Sequence, residues 1–376
     1  MKKTGSIIEF IKKEKVLAIA AALAVISMFF IHPNAEYAGY VNYRVLAILF
    51  CLMLVVKGFQ DVGLFDLMTE KLFGNLSGSK RLCMLLIWLC FFSSMLITND
   101  VALITFVPFT IMVLKRCHLE KQMMPVIVLQ TMGANLGSMV TPIGNPQNLY
   151  LFSVSEMEIG EFFQTMLPLS MFSFVILSLA GLLLLPNEKI QVGIKERPSN
   201  RIDRISLLMY SGLFIFNILV VLHVVPWGVA VVVTVVGICI LRKQYLLCRV
   251  DYALLLTFTG FFIFVGNMGR ITIIRELLYQ ILHGKEILVA AIGSQFLSNV
   301  PAAILLSGFT DNYKGLLLGT NIGGLGTLIA SMASLISYKL YMNEPEVEKK
   351  GYVATFSIYN VIGLILLLLF AVIFYR

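Results

Sequence analysis

Two short polar runs interrupt otherwise apolar sequence: Ser94-Met-Leu-Ile-Thr98-Asn99-Asp100 and Ser294-Gln-Phe-Leu-Ser298-Asn299. A serine, a second hydroxyl and an amide recur at the same spacing, 200 residues apart. Each run is followed by a second matching pair. Gly133-Ala-Asn135-Leu-Gly137-Ser-Met-Val-Thr141-Pro-Ile-Gly-Asn145, with Asn148 just beyond, aligns with Gly319-Thr-Asn321-Ile-Gly323-Gly-Leu-Gly-Thr327-Leu-Ile-Ala-Ser331 at an offset of 186. Hydroxyl and amide oxygens, together with carbonyls freed by a broken helix, suit a hard cation such as sodium. The N-termini of half-helices carry partial positive charge and attract an anion. No lysine or arginine lies deep in an apolar stretch, so a bound anion would rely on those dipoles and on any cation beside it.

Asp100 is the one acid at membrane depth, where acids are rare and usually functional. It is suited to bind sodium or, desolvated, to carry a proton. Each of these readings has a structural rival. Thr98 and Ser298 have the residue types of helix caps, as does Asp100, and the glycines suit close helix packing. His32, His118, His223 and His283 sit near span ends or in loops. With no HExxH motif, no paired acids and no histidine at depth, an intramembrane enzyme is not expected. The six cysteines show no paired spacing, so neither disulfides nor a metal site are expected.

The elements that must position these groups are transmembrane helices. Of 376 residues, 59% are hydrophobic and 13% charged, against about 25% charged in soluble domains. The expected fold is an all-α integral membrane protein with about nine full spans plus two re-entrant hairpins of opposite sense. Apolar stretches nearly free of charge run over 16–31, 45–56, 162–185, 205–222, 227–241, 252–265 and 352–375, and with their flanks they approach or reach the roughly 17–25 residues of a membrane helix. The basic N-terminal segment ahead of the first stretch reads as part of a retained helix rather than a cleaved signal.

Placing the N-terminus in the cytoplasm puts 23 of the 29 lysines and arginines on the inner side, and the C-terminus outside. That distribution assigns the net charge of +8 to the membrane and argues against nucleic acid. The count requires that two segments turn back. Segment 82–114 has basic residues at both ends and arms of 16 and 14 residues around Thr98-Asn99-Asp100, about 24 and 21 Å as helices. Segment 286–310 is shorter and enters from the opposite side. Segment 122–153 should break into two half-helices at Gly133, Gly137, Pro142, Gly144 and Pro146, and segment 313–341 less sharply, at glycines alone. Residues 63–73 and 270–278 read as amphipathic interfacial helices. The chain thus divides into a first repeat (1–185), a cytoplasmic linker (186–204) and a second, inverted repeat (205–376), with the broken helices meeting at the midplane.

The runs Ser94-x3-Thr98-Asn99 and Ser294-x3-Ser298-Asn299, with Thr141-Pro-Ile-Gly-Asn-Pro-Gln-Asn148 and Asn321-Ile-Gly-Gly-Leu-Gly-Thr327, resemble the ion transporter superfamily. That group holds divalent anion:sodium symporters, citrate-transporter-like permeases, arsenite permeases and one type of sodium/proton antiporter. The resemblance implies a homodimer in which a transport domain moves like an elevator against a scaffold domain. It also implies one cation site from Ser94, Thr98, Asn99 and the loop near Gly133, Asn135 and Gly137, and a second from Ser294, Ser298, Asn299 and the loop near Gly319 and Asn321. Asn99, Thr141, Asn145, Asn148, Asn299 and Thr327 are the expected solute ligands. The chain departs from the pattern at Asp100 in one tip and at Val300-Pro301 in the other. The expected protein is a sodium- or proton-coupled secondary transporter of a small carboxylate or oxyanion in the cytoplasmic membrane, with no cofactor beyond sodium. The alternative is a sodium/proton antiporter or arsenite-type exporter centred on Asp100.

Overall fold

The computed structural model describes residues 14–64, 78–188, 203–345 and 347–375. It is helical throughout, and the local sequence explains where the helices start. Asn42 accepts the Val45 N–H at the head of α2 (Tyr43–Asp61), and Asp203 accepts those of Ile205 and Ser206 at the head of α8 (Arg204–Val221). Asp251 caps α10 (Tyr252–Gly269) and Asn312 caps α14 (Tyr313–Ile322) in the same way. Each cap satisfies an N–H that the first turn leaves unpaired, worth about 1 kcal/mol.

Six helices of the described residues are long and apolar enough to cross a membrane: α2, α3 (Ser79–Ile97), α7 (Ile159–Leu184), α8, α10 and α16 (Tyr352–Phe374). The shorter apolar helices include α1 (Lys15–Phe30), α9 (Trp227–Ile240) and α12 (Glu286–Leu297). Their outward faces carry large apolar side chains such as Leu183, Ile373 and Leu208, which a lipid phase covers and water would not.

Helices α1, α2, α8, α9 and α10 pack on one another as one group. Ten others form a second group: α3 with α4 (Asn99–Arg116), α5 (Glu120–Ser138), α6 (Pro146–Val154) and α7, then α12 with α13 (Asn299–Ser307), α14, α15 (Met332–Met342) and α16. The two groups meet where α6 touches α2 and α13 touches α10. There the Tyr150 hydroxyl and Ser307 Oγ lie 2.7 Å apart, and the Tyr150 ring packs on Phe258 and Phe262.

Several expectations need adjusting. The arms of the first hairpin are helices of 19 and 18 residues, about 28 and 27 Å long, because the basic residues at each end are themselves helical. Arm length therefore gives no reason why this pair should fail to cross. The second pair has 12 and 9 residues, about 18 and 14 Å, short of a ~30 Å core. The second broken element is not the gentler one. Its break, residues 323–331, is longer than the first, residues 139–145. The amphipathic helix expected at 270–278 is α11 (Thr272–Leu282), whereas nearly all of the one expected at 63–73 lies outside the described residues.

Candidate functional site

Each hairpin turns on a single residue. Thr98 joins α3 to α4 with φ 66° and ψ 150°, and Ser298 joins α12 to α13 with φ 76° and ψ 154°. That backbone region is almost confined to glycine and costs on the order of 1–3 kcal/mol elsewhere. Two residues with side chains hold it at matched positions. Neither side chain caps the helix that follows, which disposes of the capping reading for these two.

What the tight turn achieves is to aim the next N–H away from its own helix. Asn99 N–H donates to Gly144 O at 3.2 Å, and Asn299 N–H donates to Ala330 O at 2.9 Å. Gly144 and Ala330 are equivalent at the offset of 186. Each tip is thus docked on the same point of the broken element that follows it. In both tips the asparagine Oδ1 then accepts the next N–H, from Asp100 and from Val300.

The two breaks also reach into each other. Asn135 Oδ1 accepts from Asn99 Nδ2 and from Ser331 Oγ, both at 3.0 Å. Its Nδ2 donates to Gly324 O at 3.3 Å and Ser334 Oγ at 3.4 Å. Reciprocally, Asn145 Nδ2 donates to Asn321 Oδ1 at 3.0 Å, and Asn321 Nδ2 donates to Asn148 Oδ1 at 2.6 Å. Positions 135, 145 and 148 become 321, 331 and 334 on adding 186. The contact of 135 with 331 and 334 is therefore matched by that of 321 with 145 and 148. These groups are at most 4% exposed, so the centre is a buried, self-bonded cluster of amides and hydroxyls. Among the described residues, ion pairs such as Lys115 with Glu344 and Lys314 with Glu161 lie at helix ends, away from it. The Lys243 ammonium is held above its usual range by its hydrogen bond to Asp61 and then by the one to Tyr245.

Not every expected ligand joins the cluster. The Thr141 hydroxyl donates to Met95 O, and that of Thr327 donates to Gln295 O, so both threonines stitch a loop to a hairpin. Gly133, Gly137 and Gly319 lie within intact helix rather than in unwound chain. The carbonyl of Gly137 accepts from Val140 and that of Gly319 from Gly323. Their role is close packing: a Cβ on Gly137 would stand 1.9 Å from Phe91 O, and one on Gly319 2.5 Å from Ile287 O. Ser94 and Ser294, against Gly137 and Gly323, bond back to carbonyls of their own helices. Asp100 is half-buried in the first turn of α4, beside the tip.

Several participants escaped the sequence reading. Ser334 was legible only by carrying the 186 offset one turn beyond the motif to the partner of Asn148. Gln295 Nε2 donates to Gly323 O and Leu325 O, both at 2.9 Å, and its Oε1 accepts from Thr327 N–H. One side chain thus holds open the break that lacks prolines. Gln147 is buried beside Asn148, and its Oε1 accepts no hydrogen bond among the described residues. The halves also differ: Thr131 and Ser337, whose hydroxyls are 2.7 Å apart, stand where the register places Leu317 and Leu151.

Residues 7–312 match the model of a family described as citrate transporter. The uncharacterized transporter MJ0456 of Methanocaldococcus jannaschii is 32% identical over 362 residues, covering 95% of this chain and 97% of that one. The inner membrane protein YbiR of Escherichia coli is 29% identical over 318 residues, 84% of each chain. The silicon efflux transporter LSI3 of Oryza sativa subsp. japonica is 27% identical over 151 residues, 40% of this chain and 30% of that one.

Proposed function

The chain belongs to the citrate transporter family, and from that premise and the geometry above we propose that it is a secondary active transporter of a small anion, coupled to sodium or protons. The observation that carries this reading is the reciprocal amide cluster formed where two hairpin tips meet two helix breaks. Irregular backbone at membrane depth is tolerated where it faces a cavity or a solute. A centre of neutral amides and hydroxyls, with half-helix ends pointing at it, binds an anion without a buried arginine.

In this reading the repeats are inverted and the hairpins re-entrant from opposite faces. Asn99, Asn135, Asn145, Asn148 and Asn321 exchange bonds with one another for bonds with solute and cation, Asn299 joins them from the second tip, and Gln147 Oε1 adds an acceptor that has no partner among the described residues. The group of α1, α2, α8, α9 and α10 serves as the scaffold, and the second group moves against it.

A second reading, an exporter or sodium/proton antiporter centred on Asp100, is favoured by one specific observation. That carboxylate sits in the first turn of α4, one residue from Asn99, and has no counterpart at Val300. The similarity to a silicon efflux transporter is compatible with export.

Proteoliposomes given a sodium or a pH gradient and a panel of carboxylates and oxyanions test the proposal. Gradient-driven accumulation of one solute is expected, and the reading fails if neither gradient moves any of them. Asp100→Asn separates the alternatives, since an antiporter loses proton exchange in that variant while a sodium-coupled symporter keeps its pH profile.

A further inference from the structure

We propose that the groove between the start of α3 and the end of α7 is a binding site for an anionic phospholipid. It has a volume of about 450 Å³, with Lys80, Arg81 and Asn187 at its polar end and Met84, Leu85, Trp88 and Leu182 along its walls. Both helices are long and apolar enough to span a bilayer. The two cations in the first turn of α3 therefore lie at a membrane surface, and Trp88 lies about 12 Å deeper along the helix.

The shape and chemistry specify the occupant. A groove walled by apolar side chains and open toward lipid is filled by an acyl chain, because a void forfeits dispersion contacts and water has no partners there. Above it, the Lys80 ammonium donates to Leu182 O at 2.8 Å, which leaves two of its three protons for a phosphate. The exposed Arg81 offers a planar fork that matches phosphate oxygens. Among the described residues neither cation is in an ion pair. The Trp88 ring is fixed by its N–H to Ser178 Oγ at 3.0 Å and packs on Phe174, so the wall is preformed. Glu188 brings one opposing carboxylate to this end, its backbone N–H held by Ser79 Oγ. Among the described residues the net gain is one positive charge, for which a preference of about fivefold for an anionic over a zwitterionic headgroup is expected.

The chain's two tryptophans supply the test. Trp227→Phe, at a partly exposed position, leaves Trp88 as the sole emitter. It is reconstituted with phosphatidylglycerol or phosphatidylcholine carrying bromine on the acyl chains, which quenches a ring in contact. Trp88 should be quenched by both lipids, with an apparent affinity about fivefold higher for phosphatidylglycerol. Adding Lys80→Gln and Arg81→Gln should bring the ratio to one without abolishing quenching, and Glu188→Gln should raise it. Millimolar inorganic phosphate should not displace the lipid. Equal quenching by the two lipids in the parent, or a preference that survives loss of both cations, overturns the proposal. The measurement needs no substrate, so its outcome is independent of whether the transport reading holds.

Discussion

Gly137→Ala adds one carbon, and the structure says where it must go. The new Cβ would lie 1.9 Å from Phe91 O and 2.6 Å from both Phe91 C and Ser94 Oγ. Two of these three are backbone atoms, so no rotamer change relieves the clash, and α3 and α5 must part by about 1 Å or more to restore contact distances. Overpacking of this kind costs roughly 1–3 kcal/mol, and a backbone clash belongs at the upper end. The same displacement carries Asn99 Nδ2 away from Asn135 Oδ1, now 3.0 Å distant, and a misplacement of about 1 Å at a binding centre can cost on the order of 100-fold in rate. The control is the identical change at Gly212, interior to α8, where a Cβ would meet nothing within 4 Å. There alanine should stabilise by up to about 1 kcal/mol through helix propensity. Unfolding midpoints in detergent and solute uptake in proteoliposomes, measured on both variants, should both fall for Gly137→Ala and stay level or rise for Gly212→Ala. A Gly137→Ala protein that unfolds and transports like the parent would refute the close approach of α3 to α5.

Further outcomes follow from the same geometry. Asn135→Ala strands Asn99 Nδ2 and Ser331 Oγ in a buried site, at about 1–3 kcal/mol for each group left unpaired, and uptake should fall below detection while Asn360→Ala, buried in α16 with its Nδ2 on Phe356 O of its own helix, leaves it measurable. Replacing Thr131 and Ser337 together by leucine, the pair at the matching positions, should preserve the fold; thermal unfolding well below that of the parent would show that the two halves are not interchangeable there. The Lys243 ammonium has a folded pKa raised by Asp61 and Tyr245, so its contribution to stability is complete below the unfolded value near ~10.4 and is lost only as pH rises beyond it. Lys243→Gln should therefore destabilise equally at pH 6 and pH 8, and by about 1 kcal/mol for a pair that keeps partial contact with water. Unequal losses at those two pH values would contradict that assignment.

The polar runs at Ser94–Asp100 and Ser294–Asn299, their offset of 200, and the paired glycine-asparagine segments were all legible in the chain itself. Both hairpin turns and both helix breaks follow from them, because residue type and spacing alone decide where an apolar helix can neither continue nor leave its amides unpaired. The family resemblance rests on those same letters. What only the tertiary structure decided is which oxygen meets which nitrogen. Thr141 and Thr327 read as ligands, yet the approach of each loop to its hairpin turns their hydroxyls onto Met95 O and Gln295 O. Gly133 and Gly137 read as unwound chain, yet contact with α3 uses their missing side chains while their backbone stays helical. The second break was underestimated because its stability comes from Gln295, a residue of another helix, and no local signal announces a partner supplied across space. Sequence records the capacity of each residue to bond; the packing of helices far apart in the chain decides which of those capacities are spent on structure and which remain for a solute.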